Sequence, residues 1–206
     1  MAHDFSMILR ATLEHLELTA IAVGVAILIG VPLGAWLTRE RWLAGPVLGF
    51  TSLVQTIPSL ALLGVLIPVF GIGEKPALVA LFLYALLPIV RNTFTGVDAI
   101  DPAAIEAARG LGMQERQILR RIALPLALPI VMGGVRTSTV INVGVATLAA
   151  LVGAGGLGKF IFRGIAMVDA RTVLMGAVPA ALLALALDAL LALIERRLVP
   201  KGLRAE

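Results

Sequence analysis

The sequence contains no cysteine, which excludes a disulfide framework and any cysteine-based metal site and leaves the redox compartment open. Charge is also scarce. Asp, Glu, Lys and Arg make up 15% of the 206 residues, against about 25% in soluble domains. Aromatic side chains account for only 5%. No acid/base pair or activated nucleophile stands out among the few polar groups, so enzymatic chemistry has no site to work from. What is abundant is apolar: 59% of residues are hydrophobic and mean hydropathy is +1.00. Lipid is the solvent that suits such a chain.

A crossing helix needs about 20 mostly apolar residues. Leu18 to Thr38 is uncharged and stops at Arg39-Glu40-Arg41. Trp42 to Gly73 is also uncharged and can hold a second crossing, roughly 47–70. Pro76 to Val97, interrupted only by Arg91, gives a third. Roughly 128–152 gives a fourth with Arg136 inside it, and Thr172 to Ile194 a fifth with Asp188 inside it. The expectation is an all-α polytopic membrane bundle of about five transmembrane helices. Residues 1–17 would be an extracytoplasmic amphipathic segment and 18–197 one transmembrane domain with a cytoplasmic loop at 98–125. Residues 198–206 would be a cytoplasmic tail.

Lysine and arginine favour the cytoplasmic side of a membrane. With the C-terminus inside, Arg39, Arg41, Arg91, Arg109, Arg116, Arg120, Arg121, Arg196, Arg197, Lys201 and Arg204 are internal. Arg10, Lys75, Lys159, Arg163 and Arg171 are external, and Arg136 lies within a span. This asymmetry sets the N-terminus out and the C-terminus in. It also explains the net charge of +4 without a nucleic-acid partner. The first residues, Met1-Ala2-His3-Asp4, lack the basic start of a cleavable signal. Phe5, Leu9, Leu13 and Leu16 recur at three to four residues, as on a surface helix facing the membrane; a frayed polar tail is the plainer reading. His3 and His15 have no companion ligand pattern, so no metal site is expected.

Residues 153–158, Gly-Ala-Gly-Gly-Leu-Gly, form a formal GxGxxG, and with Lys159 they mimic the start of a phosphate loop. Both motifs need a strand before the glycines. Here an apolar helix precedes them, and Phe160 stands where a hydroxyl would have to reach magnesium. The glycines are read instead as a tight re-entrant turn at the outer end of the fourth span. Gly30 and Gly34, with Pro58, Pro68, Pro88 and Pro179, describe closely packed and broken helices.

Between the third and fourth spans, Asp101 suits an N-cap and Pro102 the first helical position. Gly110 and Gly112 end that short helix, and Gln114 to Ala123 resumes with Ile118, Leu119 and Ile122 on one side. Arg116, Arg120 and Arg121 then point outward. An amphipathic connector on the lipid headgroups would account for that much. The spacing Glu106-Ala107-Ala108, then Gly112, then Ile122-x-Leu124-Pro125 goes further: it resembles the EAA signature of ABC importer permeases. The resemblance implies a type I importer fold whose loop docks onto a cytoplasmic ATPase, with Glu106, Ala107, Ala108 and Gly112 at the contact. Small alanines allow close approach, glycine gives the sharp turn, and the charges can fix register.

Gln55-Thr-Ile-Pro-Ser59, Tyr84 to Thr93, Arg136-Thr137, Asn142-Val-Gly144 and Thr147 to Ala150 are similar to the glycine betaine, carnitine and choline group of these permeases. The resemblance covers roughly residues 12–204, although the stretch Val69 to Lys75 is short for the group. It implies a second permease subunit, two ATPase subunits that bind ATP and Mg, an extracytoplasmic solute-binding protein, and no cofactor on this chain. Methionine- and ergothioneine-type permeases are the nearest alternatives. Gln55, Thr56, Ser59, Asn92, Thr137, Asn142 and Thr147 are candidates to line the path, each equally able to serve a helix–helix hydrogen bond. Arg91, Arg136 and Asp188 are the intramembrane charges, and Asp188 is expected to pair with Arg136 or Arg91.

Overall fold

The structure is a computed structural model that describes residues 2–199, with side chains described from Phe5 onward. Lys201 and Arg204, and the expected tail from residue 200 on, lie outside it. Among the described residues every regular element is helical: α1 (Ala2–Leu37), α2 (Arg41–Thr56), α3 (Ser59–Phe70), α4 (Glu74–Asp98), α5 (Pro102–Gly110), α6 (Glu115–Ile118), α7 (Leu124–Ala146), α8 (Gly158–Ala166) and α9 (Ala170–Leu198). A π turn, Leu119–Ala123, joins α6 to α7, and a 3-10 turn, Thr147–Val152, follows α7.

The bundle is organised around α4, whose small and apolar residues Ala77, Ala80, Leu81, Ala85, Ile89 and Val90 are buried. Glycine spacing sets its contact with α1. A Cβ on Gly34 would lie 2.6 Å from the Val90 carbonyl oxygen, and one on Gly30 would lie 2.9 Å from Ile89 Cγ2. The two helices therefore touch backbone to backbone and run parallel, because 30 to 34 tracks 89 to 93. Against α7 the order reverses: the Ser138 hydroxyl donates to the Ala85 carbonyl at 3.1 Å, and Gly96 faces Ala127 and Ile130. Helix α9 runs antiparallel to α7.

That geometry fixes the number of crossings. Parallel α1 and α4 both travel towards the arginine-rich side, so α2 and α3 together must carry the chain back across. Among the described residues four helices are long and apolar enough to cross alone, and the α2–α3 pair, bent by 99°, is the fifth. The second crossing is thus a helix broken at Pro58, as the prolines implied, and it begins at Arg41, earlier than the expected 47. Pro58 is the cause: it cannot continue the ladder and forces Ile57 into an extended conformation, ψ 125°.

Two further boundaries differ from expectation. The segment 5–17 is not a separate surface element but the start of α1, a helix of 36 residues, about 54 Å long. Phe5, Leu9 and Leu13 do point outward, while Ala11, His15 and Leu18 on the other face are buried. The fourth crossing does not start near 128; helical structure is continuous from Glu115 to Val152, so the second half of the cytoplasmic loop is the root of a span. Pro125 explains the π turn there. It has no amide hydrogen and crowds the carbonyl four residues back, and the Leu124 amide donates five residues back to the Leu119 carbonyl.

Candidate functional site

The loop between α4 and α7 is built as its sequence dictates. The Asp101 carboxylate accepts from the Ala103 amide at 2.9 Å, and Pro102 opens α5. The helix closes with two crossed backbone bonds, Met113 N to Ala108 O at 3.1 Å and Gly112 N to Arg109 O at 2.9 Å. Gly112 sits at φ 76°, the left-handed position that this closure needs. Gly110 stays helical, so of the two glycines only Gly112 makes the turn. Gln117 Oε1 then accepts from the Gln114 amide at 2.8 Å and starts α6.

Exposure sorts the motif residues. Glu106, Ala107 and Gly112 are exposed, but Ala108 is only 2% exposed and faces the body of the chain. It cannot share in a contact surface and instead seats the loop. Leu111, which the spacing did not single out, is 83% exposed at the tip. Ile122, Leu124 and Pro125 are half-buried in the π turn and the root of α7. Arg109 pairs with Glu115 at 2.8 Å, which holds the guanidinium above its ordinary value. Arg39 Nη2 donates to the Glu115 carbonyl at 2.8 Å and ties the end of α1 to the loop.

At the break in the second crossing, the Tyr84 hydroxyl donates to the carbonyl of the extended Ile57. Gln55 Nε2 donates to the Tyr84 carbonyl at 3.0 Å. The stretches 55–59 and 84–93, far apart in sequence, thus meet at one kink, where a side chain of each donates to a backbone carbonyl of the other. Ser59 opens α3 beside the break.

The other path candidates divide. Thr56 and Thr137 are exposed. Asn92 is half-buried and donates to the Pro88 carbonyl at 2.8 Å; Thr147 bonds the Gly144 carbonyl at 2.8 Å. Asn142 is fully buried, donating to the Ser138 carbonyl at 3.0 Å. That bond stays within α7, and the buried Asn142 Oδ1 has no hydrogen-bond partner among the described residues.

Arg136 and Asp188 form a bidentate pair between α7 and α9, with Nε to Oδ1 at 2.8 Å and Nη2 to Oδ2 at 2.9 Å. Nη1 reaches Glu195 Oε2 at 3.1 Å. One cation therefore holds two carboxylates. Glu195 was missed by the sequence reading, although it lies seven residues after Asp188, two turns along the same face of α9. Arg91 takes no part; its Nη2 donates to the Ser52 hydroxyl at 3.1 Å. An open cleft of about 550 Å³ beside the pair is lined by Thr137, Val140 and Leu185 as well.

The glycine turn has positive φ at Gly153, Gly155 and Gly156, as a tight re-entrant connection requires. It leads into the short α8 and is packed on the N-terminal part of α1. His15 Nε2 contacts the Val143 carbonyl at 2.9 Å, and the Leu157 amide lies 3.4 Å from its Nδ1. The ring is thus placed to donate from Nε2 and accept at Nδ1.

Residues 26–200 match the family described as binding-protein-dependent transport system inner membrane component. The chain is 52% identical over 198 residues to the osmoprotectant import permease protein OsmW of Salmonella typhimurium, covering 94% of this chain and 92% of that one. It is 47% identical over 197 residues to the glycine betaine/carnitine/choline transport system permease protein OpuCB of Bacillus subtilis, covering 96% and 91%. Among solved structures, a chain of the MetNI methionine ABC transporter in an inward-facing conformation is similar at a TM-score of 0.84 and 26% identity. That likeness covers 94% of this chain and 97% of the other.

Proposed function

This chain belongs to the family of binding-protein-dependent transport system inner membrane components, and on that premise we propose that it forms half of the translocation path of an ATP-driven importer for an osmoprotectant such as glycine betaine, choline or carnitine. The observation that carries the solute class is the level of identity: 52% and 47% to permeases named for osmoprotectants. Methionine is the second reading, favoured by the TM-score of 0.84 to a methionine transporter, though at only 26% identity.

The chain carries no hydrolytic site in this reading. Glu106, Ala107, Leu111 and Gly112 form the surface on which a separate ATPase subunit docks, one for each permease, and that subunit binds ATP and Mg. A second permease, identical or homologous, completes the path, since α9 buries only Gly176 and Ala180 of its helical residues within this chain. An extracytoplasmic binding protein delivers the solute. Quaternary ammonium groups are held by aromatic cages, and with aromatics at 5% the principal selectivity resides in that binding protein. Along the path, Thr56 and Thr137 offer hydroxyls, with Gln55 and Ser59 at the kink.

The test is uptake by the complete transporter in proteoliposomes, with labelled glycine betaine, choline, carnitine and methionine in competition. ATP-dependent accumulation of at least one osmoprotectant, unaffected by excess methionine, supports the reading. Accumulation of methionine alone overturns the solute class. No ATP-dependent uptake of any solute overturns the importer.

A further inference from the structure

We propose that the groove between α1 and the π turn binds the headgroup of an anionic phospholipid from the cytoplasmic leaflet. The groove is a cavity of about 270 Å³ at the end of α1. Val31, Pro32, Leu119 and Leu124 make its apolar walls. Trp36, Arg39 and Arg120 make its rim, and no carboxylate lines it. An apolar slot with cations and an indole at one end matches an amphiphile: acyl chain along the wall, phosphate at the rim. Tryptophan favours the headgroup level, and α1 ends one residue after Trp36.

Charge complementarity selects an anion. The Arg120 side chain makes no hydrogen bond or ion pair among the described residues. Arg39 uses Nη2 on the Glu115 carbonyl, and a guanidinium has further N–H donors to offer. The nearby Glu115 carboxylate is already taken by Arg109 at 2.8 Å. Basic clefts between helices on the cytoplasmic side are suited to anionic headgroups. The π turn that places Leu119 and Arg120 in the groove is a rare geometry, frequent at functional sites. Its position also gives the lipid leverage. Arg39 and the π turn flank the root of α7, directly after the loop that holds Leu111 and Gly112, so a bound lipid braces the loop against α1.

Trp36 is the reporter. In a Trp42→Phe background it is the sole tryptophan, since the chain has two. The full chain is reconstituted in vesicles containing brominated phosphatidylglycerol or, separately, brominated phosphatidylcholine at equal mole fraction, and quenching is titrated. The expected result is an apparent affinity roughly tenfold higher for phosphatidylglycerol, lost in Arg39→Gln/Arg120→Gln and largely kept in Arg120→Lys. Arg116→Gln/Arg121→Gln removes the same two charges outside the groove and should keep the preference. Equal quenching by both lipids, a preference that survives Arg39→Gln/Arg120→Gln, or one lost equally in Arg116→Gln/Arg121→Gln would each overturn the proposal. So would relief of quenching by millimolar inorganic phosphate, which would assign the rim to a soluble anion. The measurement does not depend on the solute, so its failure is separate from any failure of the transport reading.

Discussion

Glu14 and Lys159 are 145 residues apart in the chain, and their side chains meet at 2.9 Å. The same Glu14 oxygen accepts from the Gly156 amide at 3.0 Å. A Cβ on Gly155 would lie only 2.6 Å from it. The glycine turn thus surrounds an anion with a backbone amide and a lysine, which is the chemistry of a phosphate loop. The anion is a carboxylate of the same chain.

Lys159→Ala should therefore leave nucleotide handling untouched. The pair is half exposed, so its loss should cost less than about 1 kcal/mol, read as a small fall in the melting temperature of the purified chain. Equilibrium binding of labelled ATP to the isolated chain is the check. Specific binding that disappears with Lys159 would restore the nucleotide reading of the motif.

At the loop, Gly112→Val places a β-branched residue at φ 76°, at a cost of about 1–2 kcal/mol for the left-handed conformation. Leu111→Asp keeps the turn but puts charge on the exposed tip. Both should insert normally and lose most solute-stimulated ATPase activity and transport. Glu106→Lys, which reverses an exposed charge beside the tip, should weaken coupling in the same way. Wild-type coupling in all three variants would remove the loop from the ATPase contact.

The turn between α8 and α9 supplies an independent check on the backbone. Val168 is the one non-glycine residue with positive φ among those described, at 53°, and is 93% exposed. Its closure repeats that of Gly112, with Asp169 N to Gly164 O at 2.8 Å and Val168 N to Ile165 O at 3.2 Å. Nothing packs on the valine to offset the strain. Val168→Gly should raise stability by about 1 kcal/mol, relief of the left-handed penalty less the added chain entropy. A lower melting temperature in Val168→Gly would show that the side chain contributes more than the strain costs.

Which features could be read from sequence follows from the range of the signal. Apolar runs gave the crossings, and the spacing of Asp101, Pro102 and Gly112 gave the loop, because caps and turns are decided by adjacent residues. Pro58 marked a break, but the 99° bend required knowing that α1 and α4 run parallel. The buried His15 and the Glu14–Lys159 pair carry no local signature at all. Nor does the burial of Ala108, which depends on how the loop seats against the bundle. Leu111 carries no local signal either; its exposure at the loop tip is what distinguishes it.

Arg136, Asp188 and Glu195 permit a sharper test than the pair alone. A lone charge in a span costs about 2.5–3.5 kcal/mol on insertion scales, and Arg136 pairs its charge there with Asp188 and Glu195. Asp188→Asn leaves Arg136 its bond to Glu195, whereas Arg136→Leu leaves two carboxylates without a cation. The arginine substitution should therefore be the more destabilising, measured by thermal unfolding in detergent. Exchanging the charges, Asp188→Arg with Arg136→Asp, should recover only part of the loss, because the new carboxylate at 136 lies beside Glu195. Adding Glu195→Gln should recover more. Asp188→Arg with Arg91→Asp should recover nothing, since Arg91 bonds Ser52 instead. The triad fails as an account of these charges if Asp188→Asn proves as costly as Arg136→Leu, or if the Arg91 exchange rescues as well as the Arg136 exchange.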